Sequence, residues 1–91
     1  MKFIKYLEEE RVSSAVKRSI LSAIKHPKKN VIVVGDKEVT VTPQGQGVSF
    51  IFDEDMYELA MTITDLVDGM DEYKIKPSKK DGKSILMISP E

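Results

Sequence analysis

The residues of this 91-residue chain that could do chemistry are its cations, and their spacing suits holding a ligand better than transforming one. Counting 100° per residue, Arg11, Ser14, Arg18 and Lys25 fall on one side of a helix, and Lys28 and Lys29 follow just past its end. No acid occurs between Arg11 and Gly35. A stripe of cations on one helix face is the electrostatic footprint of a phosphate-binding surface, although any amphipathic helix must also solvate its outer face. Twelve of the fourteen basic residues are Lys. Lysine acts as a point charge and lacks the planar fork that reads base edges, so the expectation is backbone contact without sequence preference. Lys79, Lys80 and Lys83, around an Asp81-Gly82 turn, are the second cationic group and the other expected contributors.

A second constellation is acidic. Glu54, Glu58, Asp65 and Asp68 share the outer face of a later helix, with Met61 among them. Acids at a helix start complement its dipole, whereas Asp65 and Asp68 near the end oppose it, by about 0.3 to 1 kcal/mol each if exposed. Residues that break a local rule are candidates for sites. This face is therefore the alternative reading: a regulatory or inhibitory surface that docks on a protein partner, unless lysines of the terminal hairpin neutralise it.

The parts of an active site are not assembled in the sequence. His26 is the sole histidine, and its place at a helix end beside Pro27 suits a favourable contact with the helix dipole. No Ser stands in a Gly-x-Ser-x-Gly elbow, Gly45-Gln46-Gly47 lacks the rest of a dinucleotide fingerprint, and no phosphate loop ending in Gly-Lys-Ser/Thr occurs. Asp65, Asp68, Asp71 and Glu72 do not have the spacing of a calcium loop. With no Cys, thiolate metal sites and Cys nucleophiles are excluded. The expectation is a binding protein that is not an enzyme and needs no cofactor or metal.

These residues must be held by a small scaffold. Val12, Ala15, Val16, Ile20, Ala23 and Ile24 form the apolar face of a first helix ending near His26-Pro27. Phe3, Ile4 and Leu7 project almost opposite that face, so a break near residues 7 to 9 is expected. Glu8, Glu9 and Glu10 then start the helix, and residues 2 to 7 form either an additional N-terminal strand or a separate helical turn. Val31 to Val34, Val39 to Thr42 and Val48 to Phe52 read as a three-stranded meander, punctuated at Gly35-Asp36-Lys37 and Pro43 to Gly47. Asp53 is expected to cap the second helix, whose stripe of Met56, Leu59, Ala60, Ile63, Leu66 and Val67 stops at Gly69. Tyr73 to Ile75 and Ser84 to Ile88 then make a hairpin about Asp81-Gly82. Ile85 to Ile88 are apolar on both pleat faces, which calls for an interior strand or a homodimer contact.

The fold class expected is α+β, a mostly antiparallel sheet of about five strands with two main helices packed on it, in a single domain over residues 1 to 91. Apolar content of 41% and charged content of 32% suit a soluble globular chain. No stretch reaches the roughly 18 apolar residues of a membrane span, and the acids at residues 8 to 10 interrupt the N-terminus before signal-peptide length, so the reading is cytoplasmic. The formal net charge of −1 conceals blocks of +5 over residues 1 to 30, −9 over residues 31 to 72 and +3 over residues 73 to 91. Such asymmetry bears on partners rather than on fold.

With a strand at residues 2 to 7, the element order resembles an elaborated RNA recognition motif, a family whose sheet stacks bases on aromatics. The echoes are Phe3-Ile4 with Leu7, and Gly47 with Phe50-Ile51 before the second helix. Gln46 stands where that family prefers a basic residue, and Val48 and Asp53 stand where it prefers aromatics. Without that strand the order resembles a double-stranded-RNA-binding domain, a family with Lys at the second helix's start, where this chain has Asp53-Glu54-Asp55.

Overall fold

The computed structural model describes residues 14 to 91. The strand or turn expected at residues 2 to 7, the helix break near residues 7 to 9, and Arg11 lie outside the described residues. From there the order is α1 (Ser14–Lys25), β1 (Asn30–Val34), β2 (Lys37–Gln44), β3 (Gly47–Asp53), α2 (Tyr57–Asp68), β4 (Tyr73–Lys80) and β5 (Lys83–Pro90). The five strands form one sheet in the order β1-β2-β3-β5-β4, every neighbouring pair antiparallel. The α+β class and the interior position of β5 are as the hydrophobic pattern requires.

The pleat sorts the strands cleanly. Ile32, Val39, Val41, Val48, Phe50, Phe52, Leu86 and Ile88 face one side and are buried there beneath Ile20 and Ile24 of α1 and Leu59, Ile63 and Val67 of α2. Central β3 supplies three of these, each worth about 1.5 to 3 kcal/mol when removed from water. Gly47 opens β3 because a Cβ there would overlap the Ile88 carbonyl oxygen of β5. The helices divide the layer between them. α1 packs on β1 and β3 and touches α2, whereas α2 packs on β4 and β5.

The other face of the sheet has no described helix over it. Its outward row runs through Val31 and Val33, Thr40, Ile51, Ile85 and Met87, and ends on Lys74 and Lys76 of β4. Phe50 and Phe52 point into the core, so no described aromatic stands on this face to stack a base. Among the described residues the likeness to an RNA recognition motif has no aromatic working surface, and the strand on which that likeness depends is not among them.

One local expectation is corrected. Asp53 does not cap α2: the helix begins at Tyr57, its N-cap position is Met56, and no side chain caps it. Asp53 is instead the last residue of β3, paired in register with Lys83, and its carboxylate is held by cations across the sheet end.

Candidate nucleic-acid interface

Pro27 cannot continue α1, so the chain turns under the helix and enters β1 at Asn30. That turn brings the C-terminal half of α1 beside the start of an edge strand. Between them lies a groove of about 380 Å³ lined by Arg18, Ser19, Ser22, Ala23, His26, Lys28 and Asn30. Arg18, Ser22 and Lys25 stand at i, i+4 and i+7, so they share one line along the helix. The lining offers cations from Arg18 and Lys28, hydroxyls from Ser19 and Ser22 and an amide from Asn30, and no acid is among the described lining residues. Lys25 and Lys29 are exposed alongside. The helix C-terminus contributes about half a unit of negative charge, and the His26 backbone N–H satisfies one carbonyl there by donating to Ser22 O at 2.8 Å. The neighbouring full cations outweigh that partial charge.

The second cationic group sits elsewhere. Gly35-Asp36, Asp53 and Asp81-Gly82 gather at one end of the sheet, whereas Asn30, Gly45-Gln46 and Pro90 lie at the other. Lys79, Lys80 and Lys83 are therefore diagonally opposite Lys28 and Lys29, across three (Lys83) or four (Lys79, Lys80) strand spacings and a strand length, roughly 20 to 25 Å. Strand order, invisible in the sequence, separates the two groups.

The far end is also electrostatically mixed. Lys83 Nζ pairs with Asp53 Oδ1, while Lys37 Nζ lies 2.9 Å from Asp55 Oδ2 and 3.6 Å from Asp53 Oδ2. The hydrogen bond and charge of Lys83, with a smaller contribution from Lys37, hold the Asp53 carboxyl below the ordinary carboxylate range. The hydrogen bond to Asp55 raises the Lys37 ammonium above its ordinary value. A second depression of about 490 Å³ at this end includes Asp36, Glu38 and Asp53 beside Lys37 and Lys83, a lining that repels phosphate as much as it attracts it.

Two lysines of the terminal hairpin outside the expected binding residues stand on the open face. Lys74 and Lys76 alternate with inward Tyr73 and Ile75, so they stand on the open face with Lys80, whereas Lys79 has the opposite parity. Period-two alternation was the signal that could have found them. On α2, Met61, Asp65 and Asp68 are exposed and Glu58 is half-buried, whereas Glu54, expected on the same helix face, is exposed in the turn that precedes the helix. No described residue forms an ion pair with Asp65 or Asp68. Tyr57, one turn before Met61, is the residue missing from the sequence-based acidic surface: the two are 63% and 62% exposed. An apolar pair at i and i+4 on the solvent side was detectable from spacing alone.

The described residues hold no group of three or more His, Asp or Glu placed to share a metal ion. Buried Ser49 donates to the Thr42 carbonyl at 3.3 Å, a structural contact within the sheet. No described helix is long and apolar enough to cross a membrane. Comparison with family models, with curated proteins and with solved structures finds no match for this chain.

Proposed function

We propose that this chain is a cytoplasmic, non-enzymatic binding module that holds the phosphate backbone of nucleic acid, weakly and without sequence preference, in the groove between α1 and β1. The supporting observation is the charge of that corner. Residues 14 to 34 contain Lys17, Arg18, Lys25, Lys28 and Lys29 and no acid, and the cations of the groove converge from the helix and from the turn that follows it. The Lys-rich hairpin contributes less to this reading than its charge suggests, because Asp53, Asp55 and Asp81 share its end of the sheet. Screening over about 8 Å at physiological salt separates the two corners electrostatically.

Binding of this kind releases condensed counterions. Affinity therefore falls linearly on a log-log plot against salt, by about 0.9 per phosphate neutralised on duplex and about 0.7 on single strands. Fluorescence anisotropy with short DNA and RNA at several salt concentrations tests this reading, and an absence of binding at low salt defeats it.

A second reading has its own observation. Tyr57 and Met61 stand exposed among the acids of α2, the composition of a small docking stripe for a basic or apolar protein surface. A pull-down from host lysate with and without nuclease separates the two: a partner that persists after nuclease treatment and is lost with Tyr57→Ser and Met61→Ser supports docking through α2.

A further inference from the structure

The sheet ends on two strands of opposite character. β4 carries Lys74, Lys76, Pro77, Lys79 and Lys80, the residue types that discourage an additional strand from pairing. β1 reads Asn30-Val31-Ile32-Val33-Val34, with no charge and no proline, and its register against β2 runs without a bulge. Val31 and Val33 are 48% and 60% exposed on the open face. No described strand pairs with the outer side of β1. An unguarded apolar edge is a template for another strand.

We propose that this edge pairs with β1 of a second copy of the same chain, antiparallel about a two-fold axis at Ile32. The charges flanking the strand choose both the occupant and the register. Pairing about Ile32 sets Val31 of one copy opposite Val33 of the other, and beyond the strand ends sets Lys28 opposite Asp36, each contact made twice by symmetry. Moving the axis to Val33 would set Lys29 opposite Lys37, and moving it to Val31 would leave Lys28 and Lys29 opposite valines. One-residue slips are excluded because they set core-facing residues opposite outward ones. A parallel pairing in register would align Lys28 with Lys28 and Asp36 with Asp36.

The product is a continuous ten-stranded sheet with four valines adjoining on its open face and the two α1 helices on the opposite face, either side of the axis. A five-residue strand buries little area, below about 1,200 Å² in total, so the dimer is weak and concentration-dependent. This inference is independent of nucleic-acid binding.

The chain has no Cys, which permits a test specific to register. Val31→Cys and Val33→Cys chains, each alone and then mixed, are oxidised at high protein concentration. The expected result is that the mixture forms disulfide heterodimers at least about tenfold faster than either variant forms homodimers, since only the 31-to-33 pair lies directly opposite. In sedimentation equilibrium the native chain should rise toward the mass of two copies with concentration. Val33→Lys, an exposed substitution, should stay at one copy with an unchanged far-ultraviolet spectrum. A native chain that stays monomeric at millimolar concentration, homotypic cross-links that dominate, or Val33→Lys dimerising as the native chain does would each overturn the proposal. So would a monomer whose β1 amides are protected from hydrogen exchange by residues 2 to 7, which would make that segment the occupant.

Discussion

The α1–β1 half and the α2–β4–β5 half of this domain use similar materials to different electrostatic ends. In the first, a basic helix lies over an uncharged strand, so the cations of Arg18, Lys25, Lys28 and Lys29 have no acid within their own elements. In the second, an acidic helix lies over the lysine-rich hairpin, and Lys83 and Lys37 are bound by Asp53 and Asp55 at the sheet end. Among the described residues the cations of the first half have no ion-pair partner, whereas in the second Lys83 is paired and Asp65 and Asp68 are not. The strand edges follow the same division: lysines and Pro77 guard β4, while β1 has only valine, isoleucine and asparagine. A net charge of −1 thus conceals a cationic corner at α1 and β1 and a sheet end where lysines and acids are mixed.

Anchoring differs between the halves as well. Three residues of α2, Leu59, Ile63 and Val67, are buried, against Ile20 and Ile24 of α1. Ile63→Ala in mid-helix should cost about 2 to 5 kcal/mol, and Ile24→Ala, in the last turn where the chain can shift to fill the space, should fall toward the lower end of that range. Denaturant midpoints of the two variants measure this. A larger loss at Ile24 would mean that the basic half is the firmer one.

Asp65→Asn with Asp68→Asn probes the acidic half more gently. Neither carboxylate has an ion-pair partner among the described residues, and both sit at the negative end of α2. Their removal should raise stability by about 0.3 to 1 kcal/mol each, read from the thermal midpoint. It should also strengthen low-salt binding of nucleic acid slightly, by removing negative charge that repels phosphate. A fall in stability would show that these acids are compensated after all.

The smallest effect concerns Asp53. Its carboxyl ionises more readily when folded than when unfolded, so its stabilisation is complete above the ordinary carboxylate pKa and is lost as pH falls through its lowered value. Lys37 has the opposite sense: its stabilisation is present below the ordinary lysine pKa and is lost as pH rises through its raised value. Asp53→Asn should flatten the acid limb of the stability profile and leave groove binding untouched. An unaltered acid limb would show that the sheet-end ion pairs contribute nothing to stability.

Much of this fold is legible in the sequence. The β-branched runs, the apolar helix stripes and Gly35, Gly45 and Asp81-Gly82, which adopt positive φ, each specify an element through local physics. Asp53 misleads because an acid before a helix looks like a cap, and only the register of β3 against β5 reveals Lys83 beside it. Strand order is the larger gap. That β5 inserts between β3 and β4 is consistent with its apolar content, but no local signal places β1 at the opposite edge from Lys79 and Lys80, the fact that divides the cationic residues into two corners.

The most direct test sets those corners against each other. Anisotropy titrations with one labelled single strand and one duplex, across a range of salt, compare Arg18→Gln with Lys25→Gln and Lys28→Gln against Lys79→Gln with Lys80→Gln and Lys83→Gln. Both triple variants remove three cationic side chains, and glutamine is tolerated in the helix. The account predicts that the first set weakens binding on all sequences alike and flattens the salt dependence, by about 0.9 on duplex or about 0.7 on single strands for each phosphate no longer neutralised, while the second set changes either quantity far less. Equal effects from both sets, or a native chain that binds neither nucleic acid at low salt, would contradict it.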